Sequence, residues 1–108
     1  MIENKNIIQK EERAVLIGVV YKEQTETMVN EYLAELAFLA ETAGAKAEKM
    51  FIQKLPNPDS RTFVGKGKLE EIRTYVHAKG INLAIFDDEL TGSQIGNISD
   101  GLGIKVID

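Results

Sequence analysis

Ala14-Val15-Leu16-Ile17-Gly18-Val19-Val20 is a continuous apolar run, the pattern of a strand covered on both faces, as happens when helices pack on a parallel sheet. The period then changes. After Thr25, a residue suited to N-capping, apolar positions recur three and four apart at Val29, Leu33, Leu36, Ala40 and Ala43 before Gly44, which predicts an amphipathic helix with a glycine stop. Phe38 falls on its polar side, so it is either partly exposed or packed against something outside this chain, and a contact surface is the favoured reading. A second strand is predicted around Met50-Phe51-Ile52, running toward Leu55. Pro56-Asn57-Pro58-Asp59-Ser60 then reads as a loop. Thr62-Phe63-Val64 reads as a short strand or extended piece, and Leu69, Ile72 and Val76 mark a helix starting near Lys68 and ended by Gly80. Leu83-Ala84-Ile85-Phe86 is a further buried strand, followed by the acidic turn Asp87-Asp88-Glu89. Thr91 and Gln94 stand at capping-box spacing ahead of a short helix with Ile95, Ile98 and Leu102 inward, and Ile104 to Ile107 form a last strand.

Strands alternating with helices predict an α/β fold: a mainly parallel sheet of four or five strands, flanked by about three helices with right-handed crossovers. The length of 108 residues fits one domain, expected over 13–108 behind a flexible extension at 1–12. Ligands of such sheets sit in loops at the carboxyl ends of strands. Three segments fall there: Tyr21 to Glu26, Asp87 to Ser93 and, if Thr62 to Val64 runs parallel, Gly65 to Lys68.

Composition narrows the chemistry. There is no cysteine and one histidine, so disulfide frameworks, thiolate metal sites and zinc chemistry drop out. The N-terminus lacks the apolar core of a signal peptide and no apolar run is long enough to cross a bilayer, which predicts a cytoplasmic protein. The net charge is −4, yet Lys54, Arg61, Lys66, Lys68, Arg73 and Lys79 face only Asp59, Glu70 and Glu71 within the central segment. A basic segment is thus set in an acidic body, and a polyanion would meet it first.

Gly65-Lys66-Gly67-Lys68 opens the central helix, where backbone N–H groups carry roughly half a positive charge and favour anions. It is neither a P-loop nor a three-glycine dinucleotide fingerprint, and a strand-to-helix turn with solvated lysines fits the same residues. Asp87 and Asp88, at a strand end, are placed as magnesium ligands would be, and equally as carboxylates favoured ahead of a helix. His77 has no serine and aspartate partners suggested by the pattern, so it reads as a boundary residue.

Four stretches carry a family resemblance: Glu12 to Val19, Leu36 to Ala45, Arg61-Thr62-Phe63-Val64-Gly65-Lys66-Gly67-Lys68-Leu69-Glu70-Glu71-Ile72, and Phe86-Asp87-Asp88-Glu89-Leu90. Their order and spacing resemble the N-terminal domain of the HflX family of ribosome-associated GTPases, from about Glu12 to Asp108. The resemblance implies a domain that precedes a helical linker and a G domain in a protein that binds the large ribosomal subunit. It also implies a link to ATP binding. On that basis Gly65, Lys66, Gly67, Lys68, Arg61 and Lys54 are the residues expected to contact phosphates of ribosomal RNA. The alternative is a weak ATP or GTP site, with magnesium at Asp87 or Asp88. In a domain that packs on a G domain, Phe38 and the acidic turn with Glu89 would be interface residues. Where the family commonly has a serine and proline pair and a later arginine before asparagine, this chain has Thr91-Gly92 and Gly96-Asn97. The missing arginine removes one cation that could contact phosphate. The chain has neither a Walker A sequence nor an Asn-Lys-x-Asp motif, so GTP hydrolysis is not assigned to these residues.

Overall fold

Arg13–Val20 forms strand β1, buried from Ala14 to Val20 because it has a strand on either side and helices on both faces. The computed structural model describes residues 11–108; the extension expected at 1–12 lies outside the described residues up to residue 10. After β1 come α1 (Glu26–Thr42), β2 (Lys46–Lys54), α2 (Lys66–Lys79), β3 (Leu83–Phe86), α3 (Gly92–Leu102) and β4 (Lys105–Ile107). All pairings are parallel and the strand order is β2-β1-β3-β4. This is the α/β architecture that the alternation predicts, with four strands and three helices.

Side chains alternate across β1 and so build two cores. Ala14, Leu16 and Val20, with Leu83 and Ile85 of β3, pack on Val29 and Leu33 of α1. Val15, Ile17 and Val19, with Phe51, Ala84, Phe86 and Val106, pack on Ile72 and Val76 of α2 and on Ile98 and Leu102 of α3. Thr25 caps α1 by accepting from the Met28 amide, and Thr91 and Gln94 complete a capping box on α3. Gly80 and Gly103 end α2 and α3 in left-handed conformations, at φ 64° and 73°.

Thr62-Phe63-Val64 does not form a strand, so the sheet stops at four. Asp59 and Phe63 instead exchange two backbone hydrogen bonds of 2.9 Å across a tight turn. Asp59 Oδ1 accepts from the amides of Arg61 (2.7 Å) and Thr62 (3.0 Å), which closes that turn and removes the amides a ladder would need. β2 begins at Lys46, ahead of the apolar centre at Met50 to Ile52, because an edge strand with one open side tolerates charged residues. α2 begins at Lys66, earlier than its apolar spacing indicates, so most of the glycine and lysine segment is its first turn.

Gly18 lets α1 approach β1 closely: a Cβ there would stand 2.7 Å from Val29 Cγ1 and 3.2 Å from Leu33 Cδ1. Gly18→Val is therefore expected to cost about 1–3 kcal/mol by overpacking. For a domain of this size, that lowers the melting temperature in a thermal unfolding scan by roughly 5–15 °C.

Candidate functional site

The strand order places the topological switch point at the carboxyl end of β1, with β2 on one side and β3 on the other. Three segments meet near this end: the β1–α1 loop, the turn from Asp59 to Val64, and the turn after β3. Phe63 joins them. Its buried ring packs edge-on against Phe86 (centroids 6.1 Å apart) and Tyr21 (6.3 Å). Its backbone is left-handed, at φ 63°, a conformation that costs a bulky residue about 1–3 kcal/mol. Burying the ring returns roughly 1.5–3 kcal/mol and each aromatic pair a further 0.5–1.5, so the plug is held in place.

From this anchor the chain runs straight into α2. The Gly65 amide donates to Gln53 Oε1 at 2.8 Å, which ties the start of α2 to the end of β2. A Cβ on Gly65 would lie 3.1 Å from Gln53 Nε2, whereas the space beside Gly67 is open. α2 has no side-chain cap and no acidic residue in its first turn. The amides that follow Gly65 therefore lack the capping oxygens that α1 and α3 possess, and they stay available to an external acceptor.

The cations expected from the sequence are distributed unevenly around this point. Lys66 and Arg61 are exposed and, with Asp59, Thr62 and Leu69, line a concavity of about 410 Å³. Lys54 is exposed at the end of β2 and shares a second cleft, of about 400 Å³, with Tyr21, Lys22, Gln24 and Leu55. Lys68 differs: its Nζ is 3.0 Å from Glu71 Oε1 and its side chain is 21% exposed. An i,i+3 pair with an exposed partner contributes only a few tenths of a kcal/mol, so it lowers the local charge without locking the lysine.

Sequence reasoning missed the supports of this site. Gln53 gave no signal, being one polar residue in an edge strand. Gln94 completes the capping box and also donates through Nε2 to the Asp59 carbonyl at 2.9 Å. Asn97, the asparagine that here follows Gly96, donates from Nδ2 to the Arg61 carbonyl at 3.0 Å. α3 thus braces the turn that carries Arg61. The spacing of Asp59 to Thr62 was the one legible clue, since such a carboxylate closes its own turn. Gln24 Oε1 is buried with no hydrogen-bond partner among the described residues, and Lys22, at φ 57°, is left-handed beside it.

The two aspartate carboxylates after β3 diverge. Asp87 follows Leu83 and Ile85 in alternation, which puts it on the α1 side of the sheet, whereas α2 covers the other side. The structure therefore does not bring Asp87 together with Lys66 and Gly67 in one site. Asp88 accepts from the Tyr21 hydroxyl (3.2 Å) and from the Glu89 amide (2.9 Å). Among the described residues, no three carboxylates or histidines gather to hold a metal ion. Glu89 is exposed, Phe38 projects from α1 into solvent, and His77 is exposed with Nε2 at 3.3 Å from the Leu102 carbonyl. No helix among the described residues is long and apolar enough to cross a membrane.

Fold and edge together define a small parallel-sheet α/β domain in which an uncapped helix start carries exposed cations. Over residues 30–108 the chain matches the sequence model of the family described as GTP-binding GTPase N-terminal. It belongs to that family, the N-terminal domains of HflX GTPases. The GTPase HflX of Flavobacterium psychrophilum is 46% identical over 97 residues, covering 90% of this chain and 24% of the relative. The GTPase HflX of Caldanaerobacter subterraneus subsp. tengcongensis is 38% identical over 104 residues, 96% of this chain and 23% of the relative. That of Escherichia coli is 31% identical over 97 residues, 90% and 22%. The chain spans about a quarter of the length of the curated relatives it matches.

Two carboxylates at this end are perturbed in opposite directions. The amides of Arg61 and Thr62 hold Asp59 below the usual carboxylate range, while burial first, then Asp88 and Glu35, push Asp87 above it. A raised carboxyl binds its proton more tightly folded than unfolded, so its contribution to stability falls as pH rises through that window. Asp87→Asn should accordingly raise the melting temperature at pH 7, with the gain vanishing in scans below the ordinary aspartate pKa.

Proposed function

We propose that this domain is a docking module that holds phosphates of ribosomal RNA on the large subunit and does not itself hydrolyse GTP. The observation that carries the reading is the uncapped start of α2, where Lys66 and Gly67 are exposed beside Arg61. Free amides, the positive end of the helix and two mobile cations favour an anion without reading a base, which suits a phosphate backbone. Lys54, next to Gln53 in sequence, and Lys68, partly neutralised by Glu71, extend the same basic edge. The absence from the chain of phosphate-loop and guanine-reading motifs supports assigning GTP chemistry to a G domain in a longer protein. In that setting the module reports ribosome contact to its G domain, consistent with the relatives being named GTPases. Asp87 lies across the sheet from α2, and the Tyr21 hydroxyl already donates to Asp88; both weigh against the alternative of an ATP–magnesium site that uses Asp87 or Asp88.

Binding of purified large ribosomal subunits at several salt concentrations tests the reading. Lys66→Glu is expected to weaken association at least about tenfold and to flatten the log–log salt dependence by about one unit or more. Lys68→Glu should do less, because Glu71 already neutralises much of its charge. Affinity that is insensitive to both salt and Lys66→Glu would refute phosphate docking at this edge.

A further inference from the structure

α1 buries Val29 and Leu33 against the sheet and leaves large apolar side chains outside: Met28 is 37% exposed, Tyr32 42%, Leu39 57% and Phe38 70%. At 3.6 residues per turn Met28, Tyr32 and Leu39 fall along one stripe with Glu35 at its edge, and Phe38 lies about a quarter-turn away, past Glu31. Met50 of the edge strand β2 shares the sheet face of Ile52, which packs in the α1 core, and is 41% exposed. The helix carries Glu26, Glu31, Glu35 and Glu41 and neither lysine nor arginine. Apolar and acidic positions therefore interleave on one outward surface, on the opposite side of the sheet from α2.

We propose that the outer face of α1 docks a basic amphipathic helix of a partner polypeptide, with apolar residues seated on Met28, Tyr32, Phe38 and Leu39 and cations on Glu31 and Glu35. Charge decides the occupant. A nucleic acid or an anionic lipid surface is repelled by Glu31 and Glu35, with no cation on the helix to offset them, and a second copy of α1 would oppose glutamate to glutamate. The acidic field extends past the helix, since Glu35 is among the charges that hold the Asp87 carboxyl above its usual range. A helix laid along the stripe can place anchors at i, i+4 and i+7 with lysine or arginine flanking them, the geometry of helix-in-groove recognition. This surface is separate from the phosphate edge, and the two proposals fail independently.

A fluorescent peptide of leucine and lysine at helical spacing, of the same 17-residue length as α1, can be titrated into the 108-residue chain by anisotropy. Micromolar binding is expected, at least about tenfold tighter than for a peptide of equal composition whose order gives no apolar face. Phe38→Ser/Leu39→Ser and Glu31→Lys/Glu35→Lys should each weaken it about tenfold; all four residues are exposed, so folding is preserved. Equal affinity for both peptides, or affinity unchanged by Phe38→Ser/Leu39→Ser, would overturn the proposal. So would sedimentation equilibrium showing a dimer that Phe38→Ser/Leu39→Ser dissociates, which would assign the face to a second copy of the chain.

Discussion

The burial of Phe63 between Phe86 and Tyr21 fixes where α2 starts. Residue 63 would relax its left-handed backbone if the ring were free. With the ring plugged over the carboxyl ends of β1 and β3, the turn from Asp59 has one geometry. Two residues later the Gly65 amide meets Gln53, and the first turn of α2 is aimed outward with its amides uncapped. The position of Lys66 is thus a consequence of an aromatic contact three residues earlier, not of anything lysine does itself. The helix start built this way has a buried, hydrogen-bonded base and exposed charged side chains at its tip.

The elements that could be read from sequence were those whose burial imposes a period. β1 is apolar throughout because both of its faces are covered, and α1 and α3 announce themselves through Thr25 and the Thr91–Gln94 box. Legibility failed where a local polar contact outweighed the apolar signal. Thr62-Phe63-Val64 has strand-like residues, but the Asp59 carboxylate captures the amides of Arg61 and Thr62. The first half of β2 is lysine, alanine and glutamate, and only pairing with β1 makes it a strand. At the site, the cations were legible and their supports were not: Gln53, Gln94 and Asn97 act through contacts that span from 12 to 36 residues of sequence. The partial neutralisation of Lys68 follows from i,i+3 spacing to Glu71, which the sequence does contain.

The sheet separates two surfaces of opposite character. One side carries α2, with Lys66, Lys68, Arg73 and Lys79 against Glu70 and Glu71, and the other carries α1, with four glutamates and no cation. A net charge of −4 conceals this division, because it sums the acidic body and the basic segment. Screening at physiological ionic strength acts over about 8 Å, and facing helix and sheet layers are packed roughly 10 Å apart. Two helix surfaces on opposite sides of a sheet are therefore largely independent electrostatically.

With their charges largely screened from each other, the two surfaces are joined mechanically through the sheet, where β1 is packed on α1 by its even-numbered side chains and on α2 and α3 by its odd-numbered ones. At Gly18 α1 leaves no room for a Cβ, so a shift of α1 is felt directly by β1. At the carboxyl end of β1, Tyr21 touches both the Phe63 plug and, through its hydroxyl, Asp88. Any displacement of β1 along its axis would be delivered first to Tyr21, and from there to the turn that aims α2.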